Sequence, residues 1–335
     1  MNREAPDLCV RCGKCIPHCP SFRFFLQEGF SPRGRNFLFA RGITSKSYDF
    51  CLFCERCAQV CPYGLSFPHT YLQRIFKSES LEYPYFENAL SLLFLHPKGR
   101  YLYKKFDESI FDDYATGDFY LYASCGLKHL YPSALFQFLE KIKTLKLIPH
   151  LPSGQDCCGI PWVSLRSYQT LKRHALRKLE LFSERKPLVT FCATCYWVLK
   201  RVYPLLFEGE AESESILELS ERTFFVTEFL ESQLGLSLEF KGDPKILYHL
   251  PCHLKSPLTS IEKGIKNKFK AQDFCCGSAK PTLWLRGFQK EFFRLWKGKL
   301  LGKKILATSC TGCYLNFSLL LKRPPEVKHW MELWK

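Results

Sequence analysis

The chain has 335 residues, 46% of them hydrophobic and 24% charged, which is a globular mixture with enough apolar material for about two domains of ordinary size. Forty-eight Lys and Arg against 32 Asp and Glu give a formal charge of +16. The densest apolar stretch, ALSLLFLH at 89–96, is far short of the roughly 20 residues that a membrane-spanning helix needs.

The start, MNREAPDLCV, lacks the apolar core of a secretory signal. A cytoplasmic location is expected, and a peripheral place on the inner face of the membrane is the alternative. Thiols stay reduced in that compartment, so the 18 cysteines point to metal and not to disulfides. The positive charge suits a solvated Lys/Arg surface, an acidic partner or an anionic membrane surface. Nucleic acid is not expected as a partner, because no helix-turn-helix, zinc-finger or RNP pattern is present.

The first element is a phrase written twice: CVRCGKCIPHCP at 9–20 and, 42 positions later, CLFCERCAQVCP at 51–62. Both follow C-x2-C-x2-C-x3-C-P. Thiolates are soft ligands suited to iron–sulfur clusters, and two-residue gaps let one loop offer three sulfurs to one cluster. In bacterial two-cluster ferredoxins with this register the fourth cysteine serves the other cluster. The expectation is therefore one [4Fe–4S] cubane on Cys9, Cys12, Cys15 and Cys61, and a second on Cys51, Cys54, Cys57 and Cys19. Zinc sites rarely use this phrase. Between the copies lies SPRGRNFLFARG, 31–42, where Pro32 and Gly34 predict a turn and RNFLFAR a helix start. Arg33 and Arg35 are read as a solvated basic turn, the alternative being a partner for a cluster or a carboxylate.

The other ten cysteines form a longer repeat. Cys125, Cys157-Cys158-Gly159 and Cys192-x2-Cys195 are echoed by Cys252, Cys275-Cys276-Gly277 and Cys310-x2-Cys313. The step from the second cysteine of Cys-Cys-Gly to the first of CxxC is 34 positions in both copies. The flanks match as well, GDFYLYASCGLK at 117–128 against GDPKILYHLPCHLK at 242–255, which implies two homologous halves. FYLYAS, PLVTF, KILYHLP and KILATS, each ending just before a cysteine, read as buried strands. Helical patterns at 131–145, 166–184 and 286–298 alternate with them, giving parallel βαβ units. In such sheets ligands bind beyond the carboxyl ends of the strands, where these cysteines stand. Five thiols per copy is one more than a cubane needs, and adjacent cysteines fit a simple cube poorly.

The expected organisation is a two-[4Fe–4S] ferredoxin-type domain at 1–80, a helical linker at 81–116, a first cysteine-rich repeat at 117–208, a connector at 209–241 and a second repeat at 242–335. The fold class is α/β, with an α-helical ferredoxin-type N-terminal module and two pseudo-repeated parallel βαβ CCG half-domains. His253, beside Cys252, reads as a loop cap, the alternative being a proton relay. In RGFQKEFFRLWKGKLLGKK, 286–304, Phe288, Phe292, Leu295 and Trp296 form a stripe expected to pack on a sheet, with an interfacial helix as the other reading. Trp330 and Trp334 suggest a strap or a docking peptide.

The doubled phrase, SPRGR and two Cys-Cys-Gly repeats together resemble the iron–sulfur subunits of the glycolate oxidase and heterodisulfide reductase group, the CCG-domain proteins. The resemblance covers nearly the whole chain. It implies one or two further [4Fe–4S] clusters at the CCG motifs, with a non-cubane form left open. The first would use Cys125, Cys157, Cys158, Cys192 and Cys195, and the second Cys252, Cys275, Cys276, Cys310 and Cys313. The gap from first cysteine to Cys-Cys-Gly is 31 residues in copy one and 22 in copy two, a departure from strict repetition that bears on Cys252.

The resemblance implies an electron-transfer subunit of a flavin-dependent 2-hydroxy-acid dehydrogenase complex of glycolate or lactate type. An FAD-containing partner would supply hydride chemistry, and electrons would pass to quinone or another carrier. No flavin is expected on this chain, since no G-x-G-x-x-G follows a strand. The alternative is a heterodisulfide reductase-like subunit that reduces a disulfide at a CCG-bound cluster.

Overall fold

The computed structural model describes residues 9–78, 80–81, 99–236, 243–254, 271–272, 274–278, 286–321 and 324–334. By its internal contacts the chain divides into two units. The first joins Met1–Ser80 to Cys275–Lys299, and the second joins Leu81–Phe274 to Leu300–Lys335.

Among its described residues the first unit is built from short helices and turns without strands, the main helices being Pro20–Phe25, Pro32–Ala40, Phe67–Phe76 and Arg286–Lys297. Ser31 caps the second of these, its Oγ accepting the Gly34 amide at 2.8 Å, and Pro32 occupies the first helical position, where its missing N–H is not needed. The helix thus starts at Pro32, three residues before the start predicted from the Pro–Gly turn. Gly34 is required by closeness, since a Cβ there would collide with the Glu28 carbonyl. Helix Phe67–Phe76 buries Phe67, Tyr71, Leu72 and Ile75 at helical spacing. Phe39, Tyr48, Phe67 and Tyr71 meet with ring centroids 5.5–6.4 Å apart, so the core of this unit is largely aromatic.

Phe292 and Trp296 are buried on Arg286–Lys297 while Leu295 is exposed. By its contacts this helix groups with the N-terminal helices, not with the strands that the stripe of apolar residues led us to expect beneath it. The Phe288 side chain, the apolar stretch 89–96 and residues 82–98 of the linker lie outside the described residues.

The second unit holds two four-stranded sheets. In the first, β1 (Phe119–Tyr122), β2 (Pro149–His150), β3 (Leu188–Thr190) and β4 (Thr223–Phe225) lie in the order β2-β1-β3-β4. In the second, β5 (Ile246–His249), β6 (Ala271–Gln272), β7 (Ile305–Thr308) and β8 (Glu326–His329) repeat that order as β6-β5-β7-β8. Every pairing is parallel, with Leu121 opposite Val189 and Tyr248 opposite Ala307 in the central pairs. All four residues of β1 are buried, as in a sheet covered on both faces. Pro132–Thr144 lies between β1 and β2 in the chain and Tyr168–Leu181 between β2 and β3, so the chain steps outward from β1 to β2 and then back across it to β3. A topological switch point therefore lies between β1 and β3, and an equivalent one between β5 and β7.

His249 ties the second sheet to its loop, its ring bonding Thr308 Oγ1 at 3.1 Å and the Phe274 carbonyl at 2.9 Å. After β8 the chain straps helix Pro132–Thr144 of the first sheet: Glu332 accepts the Ser133 hydroxyl, and Trp334 lies against Phe138 and Lys141. Among the described residues no helix is long and apolar enough to cross a membrane.

Candidate metal centres

Both four-cysteine phrases bend the backbone alike. Arg11 and Phe53, at the same place in the two copies, have φ of 56° and 50°, and Gly13 and Glu55, two positions on, have 80° and 52°. Left-handed residues alternating with ordinary ones turn amides inward and make a concavity for negative charge. Three of these four are not glycine, so the surroundings must hold a conformation that costs about 1–3 kcal/mol per residue. The Phe53 amide faces the Cys51 thiol and the Arg33 amide faces Cys15.

Two hollows result. One, of about 410 Å³ and partly open to solvent, is lined by Cys9, Cys12, Cys15 and Cys61, with Cys57 also at its wall. The other, of about 310 Å³, is lined by Cys19, Cys51, Cys54 and Cys57. The fourth cysteine of each phrase thus stands with the other phrase. The first hollow is the more exposed, Cys12 being open and Cys9, Cys15 and Cys61 half-buried, whereas all four thiols of the second are buried. Burial pushes the Cys15 thiol up to about 11, helped by Cys9, and Cys51 up to about 12. Thiols held so high become thiolates only against a positive partner, which suits a metal cluster. Among the described residues no three His, Cys, Asp or Glu side chains converge on one ion-sized point; the thiols surround open space.

The sequence reading of SPRGR as a solvated turn is corrected at Arg35. Arg33 does reach solvent, paired with Glu28 at 2.8 Å. Arg35 is 1% exposed, with Nε donating to the Ser47 carbonyl at 2.9 Å, Nη1 at 3.8 Å from Cys19 Sγ and its guanidinium over the Phe67 ring. Its spacing of four from buried Phe39 on one helix was the available signal.

In the second unit Cys125 opens the helix Cys125–His129 just after β1, and Cys192 follows β3, so the two flank the first switch point. Gly159, at φ 81°, turns the chain from Cys157-Cys158 into helix Ile160–Leu165 and donates its amide to Cys157 Sγ at 3.4 Å. Gly277, at φ 77°, does the same to Cys275 at 3.4 Å. The buried thiols make a continuous hydrogen-bonded series, Cys125 to Cys157, Cys158, Cys195 and Cys192. Hydrogen bonds from Cys125 and Cys158 hold the Cys157 thiol well below the usual thiol range. At Cys192 burial acts upward but is outweighed by Cys195, Cys310 and Thr311, leaving that thiol low as well. All five cysteines of the first set therefore converge. Of the second set, Cys252, Cys310 and Cys313 stand in the second unit, and Cys275 and Cys276 in the first.

Cys310 joins the first site from the second sheet. It bonds Cys192, and Thr194 Oγ1 lies 3.1 Å from its Sγ. The Thr311 amide donates to Cys192 Sγ at 3.2 Å. His253 stacks on Trp197 at 4.6 Å and its Nδ1 meets Thr194 Oγ1 at 3.1 Å, so it fastens one cysteine-bearing loop to the other and does not merely cap its own.

Sequence reasoning missed the polar clamp behind Cys157. Asp156 takes His174 Nδ1 at 2.5 Å and Lys178 Nζ on its other oxygen, and Lys178 also donates to the Cys157 carbonyl at 3.0 Å, all without solvent. Gln155 receives the Ala123 amide at 2.8 Å and donates to the Leu121 carbonyl at 3.1 Å, fixing the loop to β1. The signal lay in His174 and Lys178, one turn apart on the face that also buries Leu171 and Ala175.

Residues 8–65 match the family model described as a 4Fe-4S dicluster domain, and residues 119–200 match one described as a cysteine-rich domain of the CCG type. The chain is 23% identical, over 81% of its length, to a fumarate reductase (CoM/CoB) subunit from Methanothermobacter marburgensis, covering 58% of that protein. It is 26% identical, over 44% of its length, to lactate utilization protein A 2 of Bacillus cereus, covering 61% of it. An uncharacterized iron–sulfur protein of Methanococcus maripaludis is 26% identical over 81% of the chain and 58% of its own length. The chain thus spans about three-fifths of the length of the curated relatives it matches. Taken with the thiol-lined hollows, these matches indicate [4Fe–4S] clusters on a chain that carries a 4Fe-4S dicluster domain and a cysteine-rich domain of the CCG type.

Proposed function

We propose that this chain is the electron-transfer subunit of a flavin-dependent 2-hydroxy-acid dehydrogenase complex of glycolate or lactate type. It would take electrons from an FAD-containing partner and pass them to quinone or another carrier. The observation that carries the reading is the pair of four-thiol hollows formed by exchange of the fourth cysteines. Cys9, Cys12, Cys15 and Cys61 would hold one cubane, and Cys19, Cys51, Cys54 and Cys57 the other. Cys125, Cys157, Cys158, Cys192 and Cys195 would hold a further cluster, non-cubane in form because adjacent Cys157 and Cys158 both point into the site. The equal strand order of the two sheets and the matching glycine turns support a pseudo-repeat, and with it a second such site on Cys252, Cys275, Cys276, Cys310 and Cys313.

Bound in these places, the clusters would supply one-electron carriers. The chain's own residues keep the inner thiols dry, aim backbone amides at sulfur and hold each loop rigid. The likeness to a lactate utilization protein favours a 2-hydroxy acid as the source of electrons. The longer match, to a subunit of a fumarate reductase (CoM/CoB), favours the second reading, a CCG-bound cluster that reduces a disulfide.

Anaerobic copurification with iron and flavin analysis tests the choice. The expected outcome is a flavoprotein partner, loss of electron flow from it in Cys157→Ser or Cys158→Ser, and no turnover of small disulfides with a viologen donor. Disulfide turnover by the isolated wild-type chain, lost on either substitution, would establish the second reading instead.

A further inference from the structure

Arg35 lines the second four-thiol hollow and has no carboxylate partner among the described residues. Its Nε is satisfied by Ser47 and its Nη1 leans on Cys19, while Nη2 has no hydrogen-bond partner. A guanidinium buried this way is costly unless a negative charge answers it. The first hollow is built differently. Its cations, Arg11, Lys14 and Arg33, all reach solvent, and Arg33 is already neutralised by Glu28. The second hollow, lined by Arg35 and Arg56, therefore contains at Arg35 a buried positive charge with no carboxylate partner among the described residues, set against Cys19 and Cys51, both assigned to the cluster.

We propose that Arg35 is the counter-charge of the cluster in the second hollow, a positioning residue that donates to its sulfur ligands and raises its reduction potential. The inference rests on the cubane reading above. One-electron reduction adds one negative charge to the site, so a fixed cation stabilises the reduced form over the oxidised one. Net charge and hydrogen bonds to sulfur are the levers that set such potentials. Arg35 supplies both to the second site, so the residue separates the potentials of two sites whose cysteine spacing is the same.

The test is an EPR-monitored redox titration of the full chain, purified anaerobically as wild type, Arg35→Gln and Arg35→Lys. The second-hollow signal is identified by its loss in Cys54→Ser. Arg35→Gln is expected to lower the reduction equilibrium of that signal at least tenfold, which is about 59 mV for one electron, and to leave the first-hollow signal in place. Arg35→Lys, which keeps the charge, should stay within about threefold of wild type by the same relation. No shift in Arg35→Gln, equal shifts of both signals, or a shift in Arg35→Lys as large as in Arg35→Gln would overturn the proposal. Should Arg35→Gln lose iron from the second site, Arg35→Lys decides: iron retained at the wild-type potential supports the charge role, and iron lost refutes it in favour of a scaffold role. A wild type without iron–sulfur signals would instead refute the cubane reading, and it is seen before any variant is made.

Discussion

His329, the last residue of β8, is wholly buried with its ring stacked on Tyr131 at 4.6 Å. Nδ1 accepts the Met331 amide at 3.3 Å, which leaves Nε2 to donate to the Phe191 carbonyl at 3.2 Å and fixes the neutral tautomer. Burial pushes its pKa down to about 4. Between that value and the ordinary 6.5 or so, the unfolded chain takes up a proton that the folded chain refuses, so stability falls as pH falls through that window. The loss between pH 7 and pH 5 is about 2 kcal/mol from this group alone. Urea unfolding of wild type and His329→Gln at both pH values checks it: the variant should show a shallower pH dependence by that amount. Equal slopes would mean that the imidazole is not held neutral. The Asp156–His174–Lys178 clamp differs in kind, because there charge is answered by charge at the back of the Cys157 loop.

Helix Pro32–Ala40 carries the most function in the fewest residues. Ser31 starts it, Gly34 lets it approach the Glu28 carbonyl, and Arg35 then reaches the second hollow. Gly34→Ala should push the helix off that carbonyl, costing about 1–3 kcal/mol by overpacking and lowering iron retention. Gly29→Ala, whose added carbon meets nothing within 4 Å, is the control and should stay within about 0.5 kcal/mol. A loss no greater than the control's would show that the close approach is not required. The central strands were legible because FYLYAS, PLVTF, KILYHLP and KILATS are continuous apolar runs, and β1, β3, β5 and β7 lie within them. Their neighbours were not: β2 is two residues beginning with a proline, and β8, Glu-Val-Lys-His, is a polar edge. Both become strands only because a central strand offers its hydrogen bonds. Arg35 was misread because a charge beside Pro and Gly suggests solvent, and only the packed helix shows which way it faces. The two four-cysteine groups and the five thiols that meet at the first switch point were legible from spacing, whereas the second set of five, expected on the same ground, is divided between the two units.

Across the whole molecule, each unit solves the same problem in its own way: how to present several thiols to one place. The first unit does it with left-handed loops and an aromatic core, the second with strand ends at a switch point. The formal +16 counts every thiol as neutral, so thiolate-bound clusters would leave the protein less basic than its sequence suggests. The crossed grouping of the eight N-terminal cysteines underlies both the proposed electron transfer and the proposed role of Arg35. Iron and acid-labile sulfide content with EPR of the reduced, anaerobically purified chain, compared among wild type, Cys12→Ser, Cys54→Ser and Cys61→Ser, tests it most directly. Two cubane signals are expected in the wild type, with Cys61→Ser depleting the one that Cys12→Ser depletes and sparing the one that Cys54→Ser depletes. Zinc in place of iron, or Cys61→Ser removing only the Cys54 signal, would contradict it.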